Sequence, residues 1–419
     1  MFTEIKIPQI ITVLFAFVFF LRDVGGDFHV MNIGIPMGLI FILSVFYSFN
    51  IKQIFDNNIY ILYFLLFITY LYVGTFYSNA PNYGQSKTLG LFMFILIAAL
   101  SGKYIVLYFD LFLKFNLIFF IFFIIIYITF YGSFGNVLKG LSQEARGEMG
   151  GDVFGVISTS RYVGFNLISL FFLFPRFNMN IVYKTIIFSI LFLVGLFIMI
   201  LFGSKGPILA LIIAPLIFVL LHKRTGPKKT FILFIALIGI SLLLLFPEIF
   251  LELIPQKYQA YFQDRFFDYE TYASGGRPSL YQLAISDIDQ KSLLFGKGTG
   301  NYAYLYTRSD TKIYPHNILI ELIYENGLIG LILFFGLFRY MYSKTKLTNY
   351  FVNKSCLVIY VYYFLFNAQV SGDISNNFAL FIFLIFIFYQ MKYEKNILNV
   401  FNFEIFLNNK PTNAIARIQ

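Results

Sequence analysis

Apolar runs of membrane-spanning length recur along the whole chain, and no other feature restricts its fold so strongly. A helix needs about 20 mostly apolar residues to cross a bilayer. Runs near that length cover 7–21, 30–49, 59–78, 88–102, 114–132, 156–175, 181–202, 206–221, 229–247, 317–338, 355–370 and 374–390. The first and fourth are short. Residues 104–131 form one apolar stretch broken by Asp110 and Lys114, so an interfacial piece is expected before the fifth span. Hydrophobic residues make up 59% of the 419 positions and charged residues only 12%, against about 25% charged in a soluble domain. So large an apolar excess cannot be enclosed in one core. The expected fold is all-α: a single polytopic membrane domain over 1–419 with about 12 transmembrane helices, in a range of about 10–12.

Charge position orients the chain. With the N-terminus in the cytoplasm, the cytoplasmic segments collect most of the lysines and arginines, as the positive-inside rule requires. The cluster HKRTGPKK at 222–229 is the strongest anchor. An even number of spans returns the C-terminus to the cytoplasm. Glu4 and Lys6 precede the first run and Arg22-Asp23 follows it, with no small-residue cleavage site, so an uncleaved first span is expected. The net charge of +10 is therefore a topology signal, and no nucleic-acid partner is inferred. One cysteine, Cys356, leaves no internal disulfide or Cys-based metal cluster, and three scattered histidines give no metal-ligand spacing.

Two segments on the outer side are long, about 133–155 and 248–316. The second is polar and is expected to contain short helices, as around 278–290. These segments and their neighbours hold basic residues where the charge rule disfavours them: Arg146, Arg161, Lys205, Arg265, Arg277, Arg308 and Lys312. Arg265 beside Asp264, and Arg308 near Asp310, could simply be paired. Lys205 in FGSKGP lies between two apolar runs with almost no loop, where a charge costs about 2.5–3.5 kcal/mol to insert. It either snorkels to the headgroups or contacts an anion at a helix start opened by Pro207. Arg277 in SGGRPSLY sits at another such start, and its planar fork suits phosphate; the alternative is a surface-loop arginine. His316, in YPHNILIELIYENGLIG, could take a proton from a sugar hydroxyl or cap a helix. Asn317, Glu321 and Glu325 follow at i, i+4 and i+8 on one helical face. Two carboxylates in a span need a cavity or a partner, which makes Glu321 a candidate site residue. Asp373 and Asn376 form another polar outer turn. FGKGTGNY lacks the spacing of a nucleotide loop and is taken as a turn that lets the backbone approach something closely.

Three blocks together resemble the O-antigen polymerase and O-antigen ligase superfamily: GSKGPILAL at 203–211, GGRPSLYQLAISDIDQKSLLFGKGTG at 275–300 and PHNILIELIYENGLIGLILF at 315–334. The family usually has arginine where this chain has Lys205. The resemblance implies a metal-independent glycosyltransferase without a cofactor, acting on an undecaprenyl-diphosphate-linked oligosaccharide at the outer face of a bacterial cytoplasmic membrane. Membrane lipids, a flippase and a chain-length regulator are the implied partners. It implies that His316, Arg277 and Glu321 are catalytic. Lys205, Arg146, Arg161, Asn317 and Arg265 are then expected to bind substrate, the first three and Arg277 as diphosphate or sugar contacts. Polymerase is preferred to ligase. A transporter or flippase would show paired inverted repeats, and none is evident.

Overall fold

In the computed structural model the described residues are 6–24, 29–47, 59–131, 156–201, 205–221, 259, 277–343 and 352–392. Every regular element among them is helical. In a bilayer each backbone polar group must be satisfied within its own segment, which the helix achieves. The bundle runs α1 (Ile7–Val24), α2 (His29–Tyr47), α3 (Ile59–Gly74), α4 (Pro81–Leu107), α5 (Phe109–Tyr131), α6 (Val156–Leu173), α7 (Ile181–Leu201) and α8 (Lys205–Leu221). Three short helices follow, α9 (Arg277–Ser286), α10 (Gln290–Phe295) and α11 (Asn301–Thr307), and then α12 (Ile318–Ser343) and α13 (Val352–Ala368). The last is α14 (Phe378–Lys392). Seven described helical segments are long and apolar enough to cross a membrane, and four more are apolar but shorter. The expected span 229–247 lies outside the described residues.

Two expectations are corrected. The fourth span is not short: α4 has 27 residues. Pro81 opens it, where a missing N–H costs nothing, and its polar first turns hid it from a hydropathy reading. No separate interfacial piece precedes the fifth span either. The chain breaks only at Tyr108, whose N–H still bonds the Tyr104 carbonyl at 3.0 Å, and α5 begins at Phe109.

Helices in lipid associate by close packing rather than by expulsion of water, and here the packing is aromatic. Phe19 of α1 meets the rings of Phe112, Tyr162, Phe165, Phe364, Phe378 and Phe383 at 5.1–6.3 Å between centroids. Such pairs each contribute about 0.5–1.5 kcal/mol beyond their area. α14 is buried along nearly its whole length, whereas α7 exposes Ile181, Val182, Ile190 and Leu193 to the surroundings.

The Gly-rich segment 296–300 has a defined target. Gly296, Gly298 and Gly300 all have positive φ, as does Gly327 inside α12. Gly327 interrupts the helix and frees carbonyls of the preceding turn. Lys297 N–H reaches the Tyr324 carbonyl at 2.8 Å and Gly298 N–H the Glu325 carbonyl at 2.9 Å. Thr299 joins the same knot to α3, its hydroxyl donating to the Leu71 carbonyl at 2.6 Å and accepting from Asn326 at 2.8 Å. The close approach expected of this turn is thus to the break in α12.

Candidate functional site

The polar side chains gather at one end of the bundle, around the turn between α13 and α14. Asp373 organises that turn. Its carboxylate accepts from the Asn376 N–H at 2.7 Å and the Ser375 hydroxyl at 2.8 Å. The Tyr83 hydroxyl of α4 donates to its other oxygen at 2.6 Å. Burial pushes the Asp373 carboxyl up. The Lys87 charge, Tyr83 and the turn's own donors outweigh that, and the group titrates below the ordinary carboxylate range.

The next two residues hold arginines from two different helices. Arg22 of α1 donates to Asn376 Oδ1 at 2.9 Å. Arg161 of α6 donates to Asn377 Oδ1 at 2.9 Å and to the Asn376 carbonyl at 3.2 Å. Asn377 is fixed in turn by donating to the Ser371 and Asp373 carbonyls at 3.1 and 2.8 Å. Neutral asparagines thus orient both guanidiniums, and neither arginine makes a salt bridge among the described residues. Arg161 lies inside α6, only 5% exposed, and its Nε has no hydrogen-bond partner among the described residues.

α12 reaches the same turn. Asn317 caps that helix, accepting from the Leu319 and Ile320 N–H groups at 3.0 and 3.1 Å, and donates to the Gln369 carbonyl at 3.1 Å. Both its side-chain atoms are therefore engaged in holding α12 to the turn. His316 precedes it with φ of +59° and packs edge-on against Tyr314 at 4.6 Å. Glu321 and Glu325 face α4, where the buried Lys87 ammonium bonds them at 2.8 and 2.5 Å. The face shared by Asn317, Glu321 and Glu325 is thus paired with the turn and with Lys87. Glu321 is 1% exposed and sits within that pair.

Lys205 is the first residue of α8. That helix start abuts the turn, since a Cβ on Gly206 would strike Val370. Arg277 opens α9 with its backbone, and its side chain is outside the described part. Arg146 and Arg265 lie outside the described residues. The expected pairing of Arg308 with Asp310 is not made. Asp310 instead accepts from the Asn82 and Tyr83 N–H groups at 2.8 and 2.9 Å, capping α4, while Arg308 lies over the Tyr304 ring at 5.7 Å.

A cavity of about 1130 Å³ opens beside this turn. α2 lines it with Gly34, Met37, Gly38 and Phe41, and α4 with Gly90, Met93, Phe94 and Ile97. Its polar end has Arg22, Lys87, Asp310, Lys312, Asp373 and Asn376. Lys205, Arg161 and His316 do not line it. Sequence reasoning missed Lys87, Tyr83 and Asn377, and treated Arg22 only as a span boundary. A lysine seven residues into a helix that begins with proline was the one available signal.

A family model described as O-antigen ligase matches residues 190–335. The match supports the O-antigen polymerase and ligase superfamily suggested by the three sequence blocks. No curated protein matches the chain. The matched stretch includes Lys205, Arg277, His316, Asn317 and Glu321 but not Arg22, Lys87, Arg161 or the 369–377 turn. Of the six residues named at the polar end of the cavity, four (Arg22, Lys87, Asp373 and Asn376) therefore lie outside the matched stretch.

Proposed function

We propose that this protein is a polymerase joining undecaprenyl-diphosphate-linked oligosaccharide repeat units into O-antigen or capsular polysaccharide at the outer face of the cytoplasmic membrane. The observation that carries the reading is the family domain over 190–335, whose Lys205 and Asn317 segments abut the same turn as Arg22 and Arg161. In this reading the chain is one membrane domain, both termini are cytoplasmic, and the loop 248–316 lies outside.

The chemistry is glycosyl transfer. A sugar hydroxyl of one lipid-linked unit attacks the anomeric carbon of the growing chain. The bond from that carbon to the phosphate oxygen breaks, and undecaprenyl diphosphate leaves with the electron pair. His316 takes the hydroxyl proton. Arg277, Lys205, Arg146, Arg161 and Arg265 are assigned to the diphosphate and the sugars. Fixed cations in a site of low dielectric stabilise the charge that develops on the leaving group. The reading assigns no cofactor, since the donor's own glycosyl–phosphate bond drives transfer. A flippase would supply the donor and a chain-length regulator would act on the product.

The match to an O-antigen ligase family model favours one second reading, a ligase that transfers the glycan to lipid A–core. Glycan analysis of a deletion strain separates the two. Loss of long chains with a single repeat unit still attached is the polymerase outcome. Loss of all attached glycan is the ligase outcome, and an unchanged glycan profile removes both. Complementation with His316→Ala is expected to leave chain extension absent, and full restoration would remove the assigned role of the histidine.

A further inference from the structure

The cavity beside the polar turn is a groove between two helices. α2 and α4 meet near one end, where Tyr47 and Tyr104 pack edge-on at 5.5 Å. Towards the other end they are lined by Gly34, Gly38 and Gly90. A Cβ at any of these three would meet nothing within 4 Å. Glycines elsewhere in the helices behave differently: a Cβ on Gly102, Gly195 or Gly336 would run into Tyr389, Leu167 or Tyr63. Small residues in membrane helices normally bring helices together, and a helical glycine costs about 1 kcal/mol relative to alanine. The α2 and α4 glycines do not serve packing inside the described bundle. What they do is keep a groove open, with Met37, Met93 and Phe41 as its apolar wall.

The polar end of the groove is selective in what it can still bind. Asp310 is occupied by two N–H groups of α4, Asp373 by Tyr83 and its own turn, and Lys87 by two glutamates. Arg22 differs. Of the five donors of a guanidinium, one is hydrogen-bonded among the described residues, to Asn376. Phe94 and Phe378 hold it in place, with its centre 5.8 and 5.3 Å from their rings. The capacity left at this end is that of a preorganised cation with open donors, which fits a phosphate group. From Gly34 to Phe41 the groove runs seven residues along α2, about 10 Å at 1.5 Å per residue, or about a third of the hydrocarbon thickness.

An apolar channel of that depth with a cationic head suits a single-chain phospho-lipid. We propose that the α2–α4 groove holds the first isoprenoid units of the lipid carrier, with its phosphate against Arg22. This rests on the reading that the donor is a lipid-linked diphosphate, and it adds the path of the tail and a head contact outside the family domain.

The test uses the full chain in phosphatidylcholine nanodiscs, with farnesyl diphosphate and inorganic pyrophosphate as probes. The wild type is expected to bind farnesyl diphosphate at least tenfold more tightly than pyrophosphate. Gly38→Leu/Gly90→Leu, which fills the groove where space is open, is expected to abolish that gain and leave pyrophosphate binding unchanged. Arg22→Gln is expected to weaken both at least tenfold. Gly34→Ala and melting curves control for folding. The groove assignment falls if the filled variant binds farnesyl diphosphate like the wild type. It falls equally if phosphatidic acid competes as well as the isoprenoid, or if filling the groove only dissociates a dimer of this chain. Pyrophosphate binding with no gain from the farnesyl chain removes the groove and leaves the diphosphate reading standing. No pyrophosphate binding by the wild type removes both.

Discussion

Lys87 is the residue on which the polar end depends most. Its ammonium is fully buried between Glu321 and Glu325. Removing one member of a buried ion pair leaves an uncompensated charge and costs about 3–5 kcal/mol. Lys87→Met strands two carboxylates instead of one, so the loss should reach at least that range. The expected outcome is a large drop in the thermal unfolding midpoint in detergent and little folded protein on gel filtration. Lys87→Met/Glu321→Gln/Glu325→Gln should recover most of the stability, because the penalty is electrostatic rather than volumetric. A single variant as stable as the wild type would mean that the pair does not hold α4 to α12. Half of this arrangement was legible in the sequence. Two carboxylates on one face of a span required a cavity or a partner, and a partner is what they have. Its identity was not legible, because Lys87 is 234 positions from Glu321 and no local pattern joins them.

At the level of elements, the break in α12 and the turn that fills it act as one unit. The turn supplies N–H groups to carbonyls that the break would leave bare in an apolar setting, where each unsatisfied group is costly. Gly298 has φ of +102°, and a Cβ there would lie 2.7 Å from Ser78 Cα and 2.8 Å from the Gly74 carbonyl oxygen. Both obstacles are backbone and cannot rotate away. Gly298→Ala therefore combines strain of about 1–3 kcal/mol with displacement of the turn. A lower unfolding midpoint and new protease cleavage near 290–300 are expected. Gly38→Ala, made where a Cβ meets nothing, should leave both readouts unchanged. Equal tolerance at the two positions would argue against the knot. Spans such as α7 and α13 were readable from hydropathy because their periodicity is local. α4 was cut short in that reading because its first turns carry the polar residues that the site uses. The 369–377 turn was undervalued for a related reason: its asparagines matter through arginines on α1 and α6, which are brought to it only by the folded bundle.

At the scale of the whole molecule, the described helices alternate so that the polar turn, the α8 start, the α12 start and Asp310 share one end. Asp110 and Arg176 pair at the other, where α5 begins and α6 closes. A polymerase of lipid-linked units needs the first end outside the cell, and the positive-inside rule makes that the expected side. Labelling decides the matter. Cys356 is the one native cysteine and is buried, so it gives little background. Lys312→Cys, at the exposed rim of the cavity, is expected to react with a membrane-impermeant maleimide in intact spheroplasts. Asn178→Cys, exposed between α6 and α7, is expected to react only after permeabilisation. The reverse pattern would place Arg22, Arg161 and the cavity mouth in the cytoplasm. There the growing glycan and its acceptor would be on the wrong side of the membrane, and the polymerase and ligase readings would fail together. The described helix packing would stand, because it depends on contacts within the bundle and not on which face of the membrane each end meets.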